Sequence, residues 1–143
     1  MEMSILTPAA ILALWTLIML LWTMVTRMPA LKAAGIDIRK LTGGKGTDAD
    51  NVLPPQVQWK AHNYNHLMEQ PTVFYAVVLI LAVVGGASTA SVVLAWAYVG
   101  LRILHSIWQA TVNKVSIRFT LFALSTFCLF ALAVTAVIAT LEA

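Results

Sequence analysis

His62-Asn63-Tyr64-Asn65-His66-Leu67-Met68-Glu69-Gln70-Pro71 sets two imidazoles and a carboxylate at the start of the second of four long apolar segments. Ionisable groups at membrane depth are costly, and chains that keep them generally use them. On a helix, His62, Asn65, His66 and Glu69 fall at i, i+3, i+4 and i+7, which is one face. Lipid offers that face no partners, so it has to look into protein or water.

Composition identifies the solvent. The chain has 143 residues, 60% of them hydrophobic and 10% charged, with a mean hydropathy of +0.84. A soluble domain carries roughly 25% charged residues, so this is an integral membrane protein. The expected architecture is all-α: four spans in an up-down bundle, forming one domain over residues 1–143. The net charge of +3 is small and lies mostly in one loop, which points to topology and not to a nucleic-acid partner. Cys128 is the single cysteine; it sits in an apolar run, where a small hydrophobe is the ordinary reading. The N-terminal segment has no basic region or cleavage motif, so the first span is expected to be retained.

The predicted spans cover about 5–26, 57–84, 89–111 and 115–141, each near or above the roughly 20 residues that cross a bilayer core. A polar loop is expected over 28–56. Its Gly43-Gly44-Lys45-Gly46 cluster lacks the spaced Gly-Lys-Ser/Thr pattern of a phosphate loop and reads as flexible linker. Lys32, Arg39, Lys40 and Lys45 fall in this loop and Lys114 in the third, while the second loop and both termini have no Lys or Arg. The positive-inside rule then puts loops one and three in the cytoplasm and both termini on the outer side.

Counting depth at about 1.5 Å per residue puts Arg118 and Gln109 level with His62, and His105 level with Asn65 and His66. Arg102 comes out deepest, roughly 15 Å in, level with Glu69. Arg102, His105 and Gln109 share a face at i, i+3 and i+7. Two polar faces at matching depth suggest a single cavity open to the cytoplasm. The same residues allow other readings: Glu69 and Arg102 as a buried pair that fixes register, and the histidines as satisfied polar groups between helices. A metal or haem site on the histidines would need ligands that the sequence does not cluster. Arg118 serves equally as a headgroup anchor or as a cation within a site.

Ala61-His62 with Asn65, Glu69 and Pro71-x-x-Phe74-Tyr75, then Arg102-x-x-His105, Asn113 and Arg118, resembles the MAPEG superfamily, membrane-associated proteins in eicosanoid and glutathione metabolism, in its bacterial form. The resemblance covers essentially the whole chain. It implies a homotrimer, expected in a bacterial inner membrane, with glutathione as co-substrate between neighbouring subunits. Arg118 would be the catalytic, thiolate-stabilising arginine. Arg27, His62, Asn65, His66, Glu69, Arg102, His105 and Gln109 would bind the tripeptide, Arg27 reaching its carboxylate. The implied function is a glutathione-dependent transferase or peroxidase acting on lipophilic electrophiles or hydroperoxides, with lipids as neighbours. The departures are specific. His62 and Asn65 stand where the eicosanoid enzymes place arginines, His66 where they have asparagine, and Gln109 where they have tyrosine. A catalytically silent lipid-binding or scaffold trimer, and a small proton-coupled exporter using Glu69, remain as alternatives.

Overall fold

The computed structural model describes residues 2–143. Its order is α1 (Glu2–Ala33), two short 3-10 turns (Ile38–Lys40 and Gly46–Asn51), α2 (Pro55–Leu67), α3 (Pro71–Val83), α4 (Thr89–Thr111) and α5 (Val115–Glu142), with no strand among the described residues. Ile5–Ala33, Pro55–Val83, Thr89–Thr111 and Val115–Glu142 are each long and apolar enough to cross a membrane. The chain is an all-helical membrane bundle.

Helix α4 is the centre of the bundle and packs on α1, α2 and α5. Ser91, Ala95, Tyr98, Arg102, His105, Ser106 and Gln109 are all buried along it, a run at helical spacing that makes one face. Few large apolar side chains are needed between helices in lipid, because the lipid is as apolar as they are; small and polar groups hold the contact instead. The Trp15 indole N–H donates to Ser106 Oγ at 3.0 Å, tying α1 to α4. The Phe74 ring stacks on Tyr98 at 4.4 Å. Leu14, Leu21, Val83, Phe127 and Phe130 point outward, where acyl chains would meet them.

The second span is not one continuous helix. Pro71 has no amide hydrogen to return to Leu67, and its ring crowds that carbonyl. The chain tightens there into i→i−3 bonds, Glu69 N to His66 O at 3.2 Å and Val73 N to Gln70 O at 2.9 Å. Gln70 splints the break on both sides: its Nε2 donates to Thr126 Oγ1 at 2.9 Å, and its Oε1 accepts from the Tyr98 hydroxyl at 3.1 Å. The first span also departs from expectation, since α1 runs through Pro29 to Ala33 and shortens the loop anticipated over 28–56.

Two turns explain themselves by local chemistry. After α4, Asn113 takes a left-handed φ of 55°, which asparagine tolerates better than most residues. Between α3 and α4, Gly86 lies so close to α5 that an added Cβ would stand 2.6 Å from the Ala139 Cβ, whereas one at Gly100 would meet nothing within 4 Å. Gly86→Ala is therefore expected to destabilise the bundle by about 1–3 kcal/mol through overpacking. Gly100→Ala should be neutral or slightly stabilising. Thermal unfolding of both variants in the same detergent checks this; equal midpoints would mean that the turn between α3 and α4 does not meet α5 at Gly86.

Candidate functional site

Arg102 is wholly buried, with 0% of its surface exposed. Its Nη2 donates to His66 Nδ1 at 2.8 Å. A guanidinium can only donate, so Nδ1 supplies a lone pair and the ring proton of His66 sits on Nε2. The Nε and Nη1 atoms of Arg102 have no protein partner. The Phe122 ring lies 5.9 Å from the guanidinium carbon, close enough for a cation–π contact. His66 packs 5.0 Å from the His105 ring and edge-on to Phe122 at 5.6 Å.

Arg118 comes from the first turns of α5. Its Nη1 donates to Asn113 Oδ1 at 2.6 Å, so the asparagine that turns the chain also holds the arginine. His66, His105 and Arg118 line one cavity of about 190 Å³, whose other walls are Val115, Phe119 and Phe122. A fixed cation and two imidazoles meet there with no carboxylate in the lining. Such a donor set favours an anionic or strongly accepting atom.

A second polar centre lies between α1, the first loop and α2. Arg27 Nη2 donates to Gln58 Oε1 at 3.1 Å. The buried Gln58 donates from Nε2 to Asp50 Oδ1 at 2.7 Å and to the Gly46 carbonyl at 3.3 Å. His62 Nε2 lies 2.8 Å from the same Asp50 oxygen. These bonds, first from Gln58 and then from His62, hold the Asp50 carboxyl below its ordinary value. The end of the glycine cluster, at Gly46, is thus docked onto α1 and α2. Above this network a cavity of about 330 Å³ is lined by Arg27, Lys45, Tyr64 and Asn65 among others.

The single cavity expected from matched depths is therefore two. His66, His105 and Arg118 converge on one; Arg27 and Asn65 face the other; His62 is engaged with the loop. Gln109 is buried, and its Oε1 lacks a partner. Glu69 is exposed and forms no ion pair among the described residues, so the anticipated Glu69–Arg102 pair is replaced by His66–Arg102. The Pro71 break explains this, because it takes Glu69 off the regular helical face that carries His66. His62 is held by Asp50, and no group of three His, Cys, Asp or Glu side chains that could hold a metal ion occurs among the described residues.

Several contributors went unnoticed in the sequence: Asp50, Gln58 and Gln70. Gln58 stands four residues before His62, so the shared face was readable; its loop partners were not. Asn63 is buried, and neither of its amide side-chain atoms has a hydrogen-bond partner among the described residues.

Two outcomes follow. His66→Ala and Arg102→Met should be non-additive in thermal stability, with a coupling of about 0.5–3 kcal/mol, while Glu69→Gln and Arg102→Met should add. The reverse pattern would restore the carboxylate as the arginine's partner. Because the folded value of Asp50 is depressed, its support for the loop is present above the ordinary carboxyl value of about 3.9 and is lost as pH falls through the lower folded value. Amide exchange of residues 45–51, corrected for intrinsic rate, should stay slow at neutral pH and quicken only in that acid window. Asp50→Ala should exchange fast at every pH.

A sequence profile of the MAPEG family matches residues 5–138. No curated protein and no solved structure matches the chain. The matched stretch takes in the membrane-spanning parts of all the helices, the docked loop and each of the site residues described above, and the chain belongs to the MAPEG family.

Proposed function

We propose that the chain is a glutathione-dependent transferase or peroxidase of the membrane, acting on lipophilic electrophiles or hydroperoxides. One observation carries the reading: Arg118, His66 and His105 converge on a cavity whose remaining walls are apolar. Family membership supports glutathione-related chemistry at the coarser level.

The chemistry asked of the protein is modest. A thiol near pKa 8.5 is mostly protonated at neutral pH, and a fixed neighbouring cation lowers that value. Arg118 supplies the charge, and the Nε2–H of His66 offers a second donor to the sulfur. The thiol proton passes to water, the thiolate's electron pair forms the new sulfur–carbon bond, and the leaving group departs with its bonding pair. With a hydroperoxide the thiolate takes the outer oxygen, the O–O bond breaks and the alcohol leaves. A second glutathione then condenses with the resulting sulfenic acid to give the disulfide and water, so no protein nucleophile takes part. Phe119 and Phe122 provide the apolar side on which a lipophilic partner approaches.

Size argues for more than one copy. Ligand sites commonly enclose about 300–1,000 Å³, so a cavity of about 190 Å³ suits a thiol head better than a whole tripeptide. The Arg27, Lys45 and Asn65 cavity carries the cations that a tripeptide's carboxylates need. In a homotrimer, that cavity on one copy would meet the Arg118 cavity on the next. The basic first loop orients the assembly with both termini outward, in a bacterial inner membrane.

The test is the pKa of glutathione bound to the purified protein, followed by thiolate ultraviolet absorbance. Arg118→Ala should raise it by about 1–3 units, and Arg118→Lys should keep part of the effect because charge is retained without the planar fork. Identical values in wild type and Arg118→Ala would leave Arg118 as a headgroup anchor, and no glutathione binding at all would favour a silent scaffold. Mass measurement in detergent should give three copies; a monomer would remove the composite site.

A further inference from the structure

We propose that the cavity at the loop end of α1 is a binding site for the headgroup of an anionic phospholipid. It is separate from the Arg118 cavity and does not depend on the activity proposed above.

The position comes from helix length. At about 1.5 Å per residue, the 32 residues of α1 reach roughly 48 Å, against a hydrocarbon core of about 30 Å. The helix therefore overruns the core. Its last turns beyond Arg27 rise roughly 9 Å, enough to traverse a headgroup layer on one side, about 5–8 Å thick. At Gly35 the chain reverses with a φ of 76° and returns through Asp37 into the Ile38–Lys40 turn. This reversal leaves an open groove of about 510 Å³ against the end of α1.

The lining is two-sided in the sense a phospholipid requires. Met28, Leu31, Ile36 and Ile38 give an apolar surface, while Lys32 and Arg39 give a basic rim. Asp37 also lines the cavity, and its Oδ1 accepts from the Arg39 amide at 3.0 Å and from Arg39 Nε at 3.2 Å. That clamp fixes the direction of the guanidinium, yet the Arg39 side chain stays 87% exposed. Lys32 and Arg39 are both exposed cations in the lining, against the single carboxylate of Asp37, and the exposed Lys40 follows next in the chain. Ile38 and Leu41, at 49% and 60% exposed, project from the same turn. Aliphatic side chains flanked by basic ones are the composition of an element that lies in a membrane interface.

Charge complementarity selects an anionic headgroup, and continuity with the bilayer selects a lipid. A free phosphate would use Lys32 and Arg39 but would leave the apolar floor without a role. The leaflet that a Lys/Arg-rich loop faces is the one whose anionic lipids attract such segments.

The full chain in detergent, mixed with phosphatidylglycerol or phosphatidylcholine and analysed by native mass spectrometry, tests this. Phosphatidylglycerol should be retained in preference. Lys32→Gln and Arg39→Gln should each weaken retention about fivefold. Asp37→Asn keeps a side-chain acceptor for the turn but removes the opposing charge, so it should strengthen retention by a similar factor; a misfolded variant would not. Lys114→Gln, in another loop, should change nothing, and soluble glycerol phosphate should not compete. Equal retention of the two lipids would overturn the proposal, as would a loss at Lys114→Gln matching that at Lys32→Gln. Displacement by glycerol phosphate would make this a free-anion site and would equally refute the lipid assignment.

Discussion

A guanidinium sealed inside a membrane bundle with one hydrogen bond is the constraint around which the polar interior is arranged. Arg102 has no exposed surface, lipid could not solvate it, and no carboxylate among the described residues pairs with it. Its one bond goes to His66, and the rest of the charge is left to the Phe122 face and the polar residues of α4. Removing one member of such an arrangement strands the other, which is why buried charges are costly to disturb even when their net stabilisation is small. The consequence for function is directional. His66 is held by Nδ1, so the imidazole edge that remains is a donor, and it belongs to the ring that lines the cavity with Arg118.

The second constraint is the docked loop. Gln58 uses its amide to join α1, through Arg27, with Gly46 and Asp50 of the loop, and His62 reinforces Asp50 from the next turn of α2. A loop with four glycines in or near it would otherwise carry a large conformational entropy. The network holds Lys45 and Gly46 over Asn65 and so shapes the second cavity. Two cavities thus lie on different sides of α2, each with its own cations.

The spans were legible because composition and hydropathy speak for themselves over runs this long, and the family motifs were legible as spacing along single helices. Partner identity was not. Depth counting from a 1.5 Å rise ranks residues by level but says nothing of azimuth, so it matched Arg102 with Glu69 and His66 with His105, whereas the arginine meets His66. The azimuth was set by Pro71, whose missing amide hydrogen was visible in the sequence and whose effect on Glu69 could have been drawn from it. Loop contacts such as Asp50 with Gln58 and His62 bridge different elements, and no periodicity encodes them. Arg118 was found by motif, while its anchor Asn113 doubled as a turn residue and concealed its second task.

The orientation of His66 is the claim on which the cavity's chemistry rests, and nitrogen-15 NMR of selectively labelled histidine in lipid bilayers measures it directly. With the Arg102 bond in place, His66 Nδ1 should resonate as an unprotonated, hydrogen-bonded nitrogen and Nε2 as the protonated one, and Arg102→Met should abolish that preference. A His66 signal with its proton on Nδ1 in the wild-type protein would contradict it, because a guanidinium cannot accept that proton and the buried arginine would then need another partner.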